Sequence, residues 1–128
     1  MMDRIVLRKP KLHFDVVANA SHVTFDDGTQ QRRNFPWVHY VEARWDYADL
    51  DTIKIVIADW IVVITGHNLG PLFEAIEDRT LTRVRAQPEL KQDSDRVIDT
   101  FATEIRFLQL PPGAPAKRVG QIEFNLGA

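Results

Sequence analysis

The residues with the clearest chemical potential stand between an apolar run and a helix-like segment: Gly66, His67, Asn68 and Gly70. Backbone N–H groups at the start of a helix, aided by the helix dipole, bind phosphate and carboxylate groups. The segment therefore predicts an anion-binding loop. It matches neither the GxGxxG pattern nor a P-loop, so it is not a nucleotide signature. The alternative is a structural role, in which Gly66 makes the turn, Asn68 caps the helix and His67 is exposed.

A second candidate site mixes arginines with aromatic residues over the segment 32–45. Its members are Arg32, Arg33, Trp37, Tyr40, Arg44 and Trp45. Proteins that bind single-stranded nucleic acids use cations for phosphate contact and aromatic faces for base stacking. Alternatively, the aromatic rings belong to the core and the arginines carry surface charge. No RNP, KH or zinc-finger motif accompanies the segment, so nucleic acid is not the favoured partner.

Catalytic residues cannot be assigned from the sequence. Of the four histidines, His13, His22, His39 and His67, none has a metal-ligand spacing such as HExxH. Neither serine lies in a GxSxG motif, and the sequence does not show which carboxylates lie close together. We therefore predict no metal and no cofactor, and favour a non-enzymatic protein. The alternative is a small enzyme, which a histidine meeting a carboxylate in a concave pocket would favour.

Composition limits the class of protein. The chain has 128 residues, 45% of them apolar, which predicts one globular domain over 1–128. Its 16 basic and 18 acidic residues nearly balance, so the whole molecule has no strong attraction to polyanions. It has no cysteine, no start that resembles a signal peptide and no apolar run near the roughly 20 residues of a membrane span. These features predict a soluble cytoplasmic protein with no membrane partner.

Alternation of apolar and polar residues predicts the first strands. Leu12, Phe14 and Val16 alternate with polar side chains, which indicates a strand with one buried face. A short strand over Ile5–Arg8 is expected before it. Asp26-Asp27-Gly28 favours a tight turn, because Asp bonds its own backbone and Gly tolerates positive φ. A hairpin is therefore predicted around this turn.

The most apolar part of the chain is predicted to form a hairpin from two β-branched runs, 53–57 and 61–64. A two-residue turn would pair Ile57 with Val62, and a three-residue turn would pair it with Ile61. The register stays open between these two.

Other strands are predicted from similar patterns. The segment 37–47 alternates as a strand and also fits a helix with Pro36 at its first position, but its aromatic and valine content favours the strand. Strands are also expected over 81–85, 101–107 and 122–126. The polar segment 88–95 and the proline-rich segment 111–117 are expected to be loops.

One helix is predicted near residues 69–79. Its apolar residues recur at helical spacing and would lie on the sheet: Leu69, Leu72, Phe73 and Ile76. Asn68 is the expected N-cap, and Pro71 falls in the first turn, where its missing N–H costs nothing. The predicted fold class is α+β, a mainly antiparallel twisted sheet of about six to eight strands with this one principal helix packed on one face.

The functional expectation is a non-enzymatic binding or accessory module that acts through protein contacts. Strongly apolar strands need their edges and faces covered, which favours self-association as a homodimer or a protein partner. Single-stranded nucleic-acid binding and a small enzyme are the alternatives.

Overall fold

A computed structural model describes residues 9–92 and 98–111 of the chain. This part contains eight strands and one α-helix, and the predicted α+β class with mainly antiparallel pairing is confirmed. The elements are β1 (Phe14–Val16), β2 (His22–Asp26), β3 (Arg32–Pro36), β4 (Tyr40–Arg44), β5 (Thr52–Ile57), β6 (Trp60–His67), α1 (Gly70–Glu77), β7 (Leu81–Arg85) and β8 (Phe101–Gln109). Short 3-10 turns lie at Trp37–His39 and Pro88–Gln92.

The strands form two sheets, whereas the sequence predicted one. Sheet A has the order β1-β7-β2-β3, and sheet B has the order β4-β5-β6-β8. The β2–β3 hairpin is confirmed, while β2 and β7 pair in parallel and join segments far apart in the chain. The 3-10 turn at Trp37–His39 separates β3 from β4 and passes the chain from one sheet to the other. It also confines the strand predicted over 37–47 to Tyr40–Arg44.

The β5–β6 hairpin is confirmed, but both registers considered for it are wrong. Ile57 pairs with Trp60, and the same register continues along the two strands to the pair of Thr52 with Thr65. Only Ala58 and Asp59 form the turn, and Trp60 belongs to β6. Ala58 takes a φ of 53°, a left-handed conformation that lets two residues reverse the chain.

The main core lies between the two sheets and α1. The apolar stripe of α1 is confirmed: Leu72 and Ile76 are fully buried, and Phe73 packs against Trp45 with ring centroids 5.5 Å apart. A second buried cluster contains Val56, Ile61, Val63 and Leu110. Sheet B is therefore apolar on both faces, as the continuous apolar run of β6 predicts.

The predicted strand around Leu12 is shorter and more exposed than expected. Only Phe14 packs against the core, while Leu12 and Val16 are about half exposed. The strand is at the edge of sheet A, and its pairing with β7 shifts register between Asp15 and Val16, where Thr82 of β7 is passed over. The predictions for 5–8, 112–117 and 122–126 lie outside the described residues.

The β2–β3 turn makes one testable contribution to stability. Asp27 Oδ1 accepts N–H groups from Thr29, Gln30 and Gln31 at 2.8, 2.8 and 3.1 Å, and these bonds lower the pKa of Asp27 below its usual value. A lowered folded-state pKa gives stability that is present above the unfolded pKa, near 4, and is lost as pH falls through the folded value.

We expect Asp27→Asn to lower the melting temperature at pH 7, because the amide loses the charge that strengthens these bonds. The difference from wild type should close as pH falls below about 4. Thermal unfolding across this pH range measures it, with the exposed turn variant Asp59→Asn as control. A difference in melting temperature that stays constant down to pH 2 would contradict stabilisation by the charged carboxylate of Asp27.

Candidate functional site

The predicted cap of α1 is wrong. Leu69 is the N-cap residue, with no side-chain capping bond, and α1 covers Gly70–Glu77. Asn68 has a φ of 51°, and its Nδ2 donates to the carbonyl of Asp99 at 3.2 Å. Its own carbonyl accepts the Thr100 hydroxyl at 2.6 Å. The left-handed backbone thus directs Asn68 towards the start of β8, away from the first turn of the helix.

Gly66 and Gly70 differ in the space that the structure leaves for a side chain. A Cβ on Gly66 would lie 2.3 Å from the carbonyl oxygen of Phe101 and 2.9 Å from the Cα of Ala102, because β6 and β8 approach closely there. A Cβ on Gly70 would meet only Trp45 Cη2, at an ordinary 3.6 Å. The loop therefore has a structural role in holding β8, and anion binding there stays a prediction.

A buried carboxylate that the sequence analysis missed lies beside this loop. The side chain of Asp99 is 0% exposed; its Oδ1 accepts the Lys11 N–H at 2.8 Å, and its Oδ2 lies 3.6 Å from His13 Nε2. In the described chain, His13 Nε2 has no hydrogen-bond partner. The ring of Phe101 packs between His13 and His67, with centroids 6.2 and 5.5 Å away. Asp99 thus connects the segments before β1 and β8, beside the imidazole of His13.

His13 also lines a shallow depression on sheet A. This depression has a volume of about 240 Å³, and its lining includes Arg83 and Arg85 of β7. Neither guanidinium has a carboxylate within 4.0 Å in the parts of the chain that the structure describes. The side chain of His13 is only 18% exposed, and the Nε2 edge of its ring faces the buried Asp99.

The edge of sheet A at β1 is apolar, and part of its backbone faces away from the sheet. Leu12, Val16 and Val17 are 50, 55 and 52% exposed. The Lys11 carbonyl and the His13 N–H both bond Thr100, so the backbone groups of Leu12 and Phe14 point to the opposite side. Over residues 9–92 and 98–111, β1 pairs with no strand other than β7. We call this surface, formed by residues 12–17, the β1 edge.

The two tryptophans of the segment 32–45 pack against other parts of the protein. Trp37 is buried, donates its indole N–H to the carbonyl of Leu81 and packs edge-on against Tyr40. Trp45 lies against Phe73 and donates to the carbonyl of Leu50. Because protein groups occupy these indoles, base stacking on them is disfavoured.

The cations and the phenol of the same set have different surroundings. Arg33 lies with its guanidinium carbon 3.8 Å from the ring centroid of Trp60, an intramolecular cation–π contact. Arg44 lies 3.8 Å from Asp46, while Arg32 is exposed on β3. Burial raises the pKa of Tyr40 above its usual value. Nucleic-acid binding by this set stays a prediction.

Residues 9–92 and 98–111 contain no group of three or more His, Asp or Glu side chains placed to hold a metal ion. No helix in this part has the length and apolarity needed to cross a bilayer.

Comparisons of the chain with protein-family models, with curated proteins and with solved structures gave no match.

Proposed function

We propose that the protein is a non-enzymatic binding module that acts through protein contacts, and that it self-associates as a homodimer through the β1 edge. The observation that supports this is a sheet edge with three half-exposed aliphatic side chains and no partner strand in the described chain. Such edges are templates for pairing with another strand. A reducing, cytoplasmic location belongs to the proposal, because a chain without cysteine has no need of disulfide formation.

The sequence of the edge supports a second copy as the occupant. If two β1 strands pair antiparallel with Phe14 opposite Phe14, Leu12 lies opposite Val16 of the other copy. Apolar side chains thus meet apolar ones, while the polar positions His13 and Asp15 fall opposite each other across the pair.

The backbone is compatible with this pairing. The Asp15 carbonyl accepts a bond from the Thr82 hydroxyl of β7, so Asp15 uses the side of the strand that faces the sheet. Successive residues alternate, so the groups of Phe14 face away from the sheet, on the side where the other copy would pair. Because the paired segment is short, the interface falls at the small end of the known range, and we expect a weak, reversible dimer.

Sedimentation equilibrium tests the proposal. Wild type should show a monomer–dimer equilibrium at micromolar concentrations, and Val16→Lys should weaken it at least about tenfold, because an edge lysine blocks strand pairing. The control is Val38→Lys, which adds the same charge at a valine that is 80% exposed and outside the β1 edge. A strict monomer, or equal effects of the two variants, would overturn the proposal.

A further inference from the structure

We propose that the depression lined by His13, Arg83 and Arg85 binds a phosphoryl group, either as inorganic phosphate or as the phosphate of a small phosphomonoester. The site goes beyond the proposed dimer, because the residues that form it come from one chain. It is also separate from the loop at Gly66–Gly70.

The geometry of the sheet brings the three donors together. Arg83 and Arg85 are two residues apart on β7, so their side chains leave the same face about 7 Å apart. Phe14 pairs with Val84 and Asp15 with Arg83, which places His13 next in line, opposite Arg85. All three residues line the one depression.

The cations of the site are available for a ligand. Neither guanidinium forms an ion pair with a carboxylate in the described chain, although Asp15 also lines the depression. Two arginines against one aspartate leave an excess of positive charge there. Asp99 lies behind the imidazole of His13, with its Oδ2 3.6 Å from Nε2 on the buried side of the ring.

The chemistry and size of the site favour a phosphoryl ligand. The planar guanidinium fork matches the oxygens of phosphate and forms paired, charge-assisted hydrogen bonds with them. A depression of about 240 Å³ is smaller than the usual pocket for a drug-sized molecule. The group recognised is therefore the phosphate itself, with any ester part left in solvent.

Isothermal titration calorimetry at low ionic strength tests the site with three probes: inorganic phosphate, a phosphoserine peptide and the same peptide without phosphate. We expect saturable binding of phosphate, and no binding of the unmodified peptide. Binding of the phosphopeptide as well would identify a phosphomonoester ligand, while binding of phosphate alone would identify the free ion. Each result supports the phosphoryl site.

Variants locate the binding. Arg85→Gln should lower the affinity for phosphate at least about tenfold, because it removes one paired hydrogen-bond contact. Arg106→Gln, which removes the same charge from an exposed strand position outside the depression, should leave the affinity unchanged. The inference is overturned if no saturable binding occurs, if the two variants lose affinity equally, or if only His67→Ala abolishes binding, which would place the ion at the α1 loop.

Discussion

Replacing Gly66 by alanine is expected to destabilise the fold by about 3 kcal/mol. The new Cβ would lie 2.3 Å from the carbonyl oxygen of Phe101, which is a backbone atom in a paired strand. Relief requires β8 to shift as a unit, because this strand is paired along its length with β6. The strain would therefore spread along the β6–β8 pair.

The matched control lies four residues further on. Gly70→Ala adds a Cβ at an ordinary contact distance in the first turn of α1, so it should be neutral or stabilise by about 0.4–1 kcal/mol. Urea unfolding gives the free energy of unfolding of both variants. Equal effects of the two variants would contradict the close approach of β6 and β8 at Gly66.

Replacing Asp99 by alanine is the second change with a large expected effect. The Lys11 N–H loses its 2.8 Å acceptor, and His13 loses the carboxylate beside it. Leaving buried polar groups without partners costs about 1–3 kcal/mol. Asp99→Asn keeps an oxygen that can accept from Lys11, so it should retain part of the lost stability.

The same urea experiment measures the effect of Asp99, with the exposed Asp59→Ala as control. Hydrogen exchange adds a local readout, since the Lys11 amide should exchange faster in Asp99→Ala than in Asp99→Asn. If Asp99→Ala unfolds at the wild-type urea concentration, the carboxylate does not join the segments before β1 and β8.

Local features of the fold followed from the sequence. The apolar spacing of Leu72 and Ile76 predicted the buried stripe of α1, and the turn residues Asp26–Gly28 predicted the β2–β3 hairpin. Both depend on residues close in the chain, where periodicity and turn chemistry act directly. The prediction of Asn68 as the N-cap of α1 was wrong, because Asn68 contacts Asp99 and Thr100, some 30 residues away, in place of the expected capping bond.

The division into two sheets and the candidate site depend on long-range pairing. The parallel β2–β7 pair and the bridge between Leu12 and Thr100 join segments that carry no mutual signal in one sequence. Asp99 stands near a polar segment, so nothing in the local pattern indicated a buried carboxylate. The grouping of His13 with Arg83 and Arg85 likewise follows only from the register of β1 on β7.

Hydrogen exchange at two protein concentrations tests the central proposal, self-association through the β1 edge, most directly. The amides of Leu12 and Phe14 point away from the partners of β1 in the described chain. They should become more protected from exchange as concentration rises, because dimer formation bonds them to the second copy. The amide of His13, already bonded to Thr100, should change little. Equal protection of Leu12 and Phe14 at a concentration where the protein sediments as a monomer and at one where it sediments as a dimer would contradict pairing through this edge.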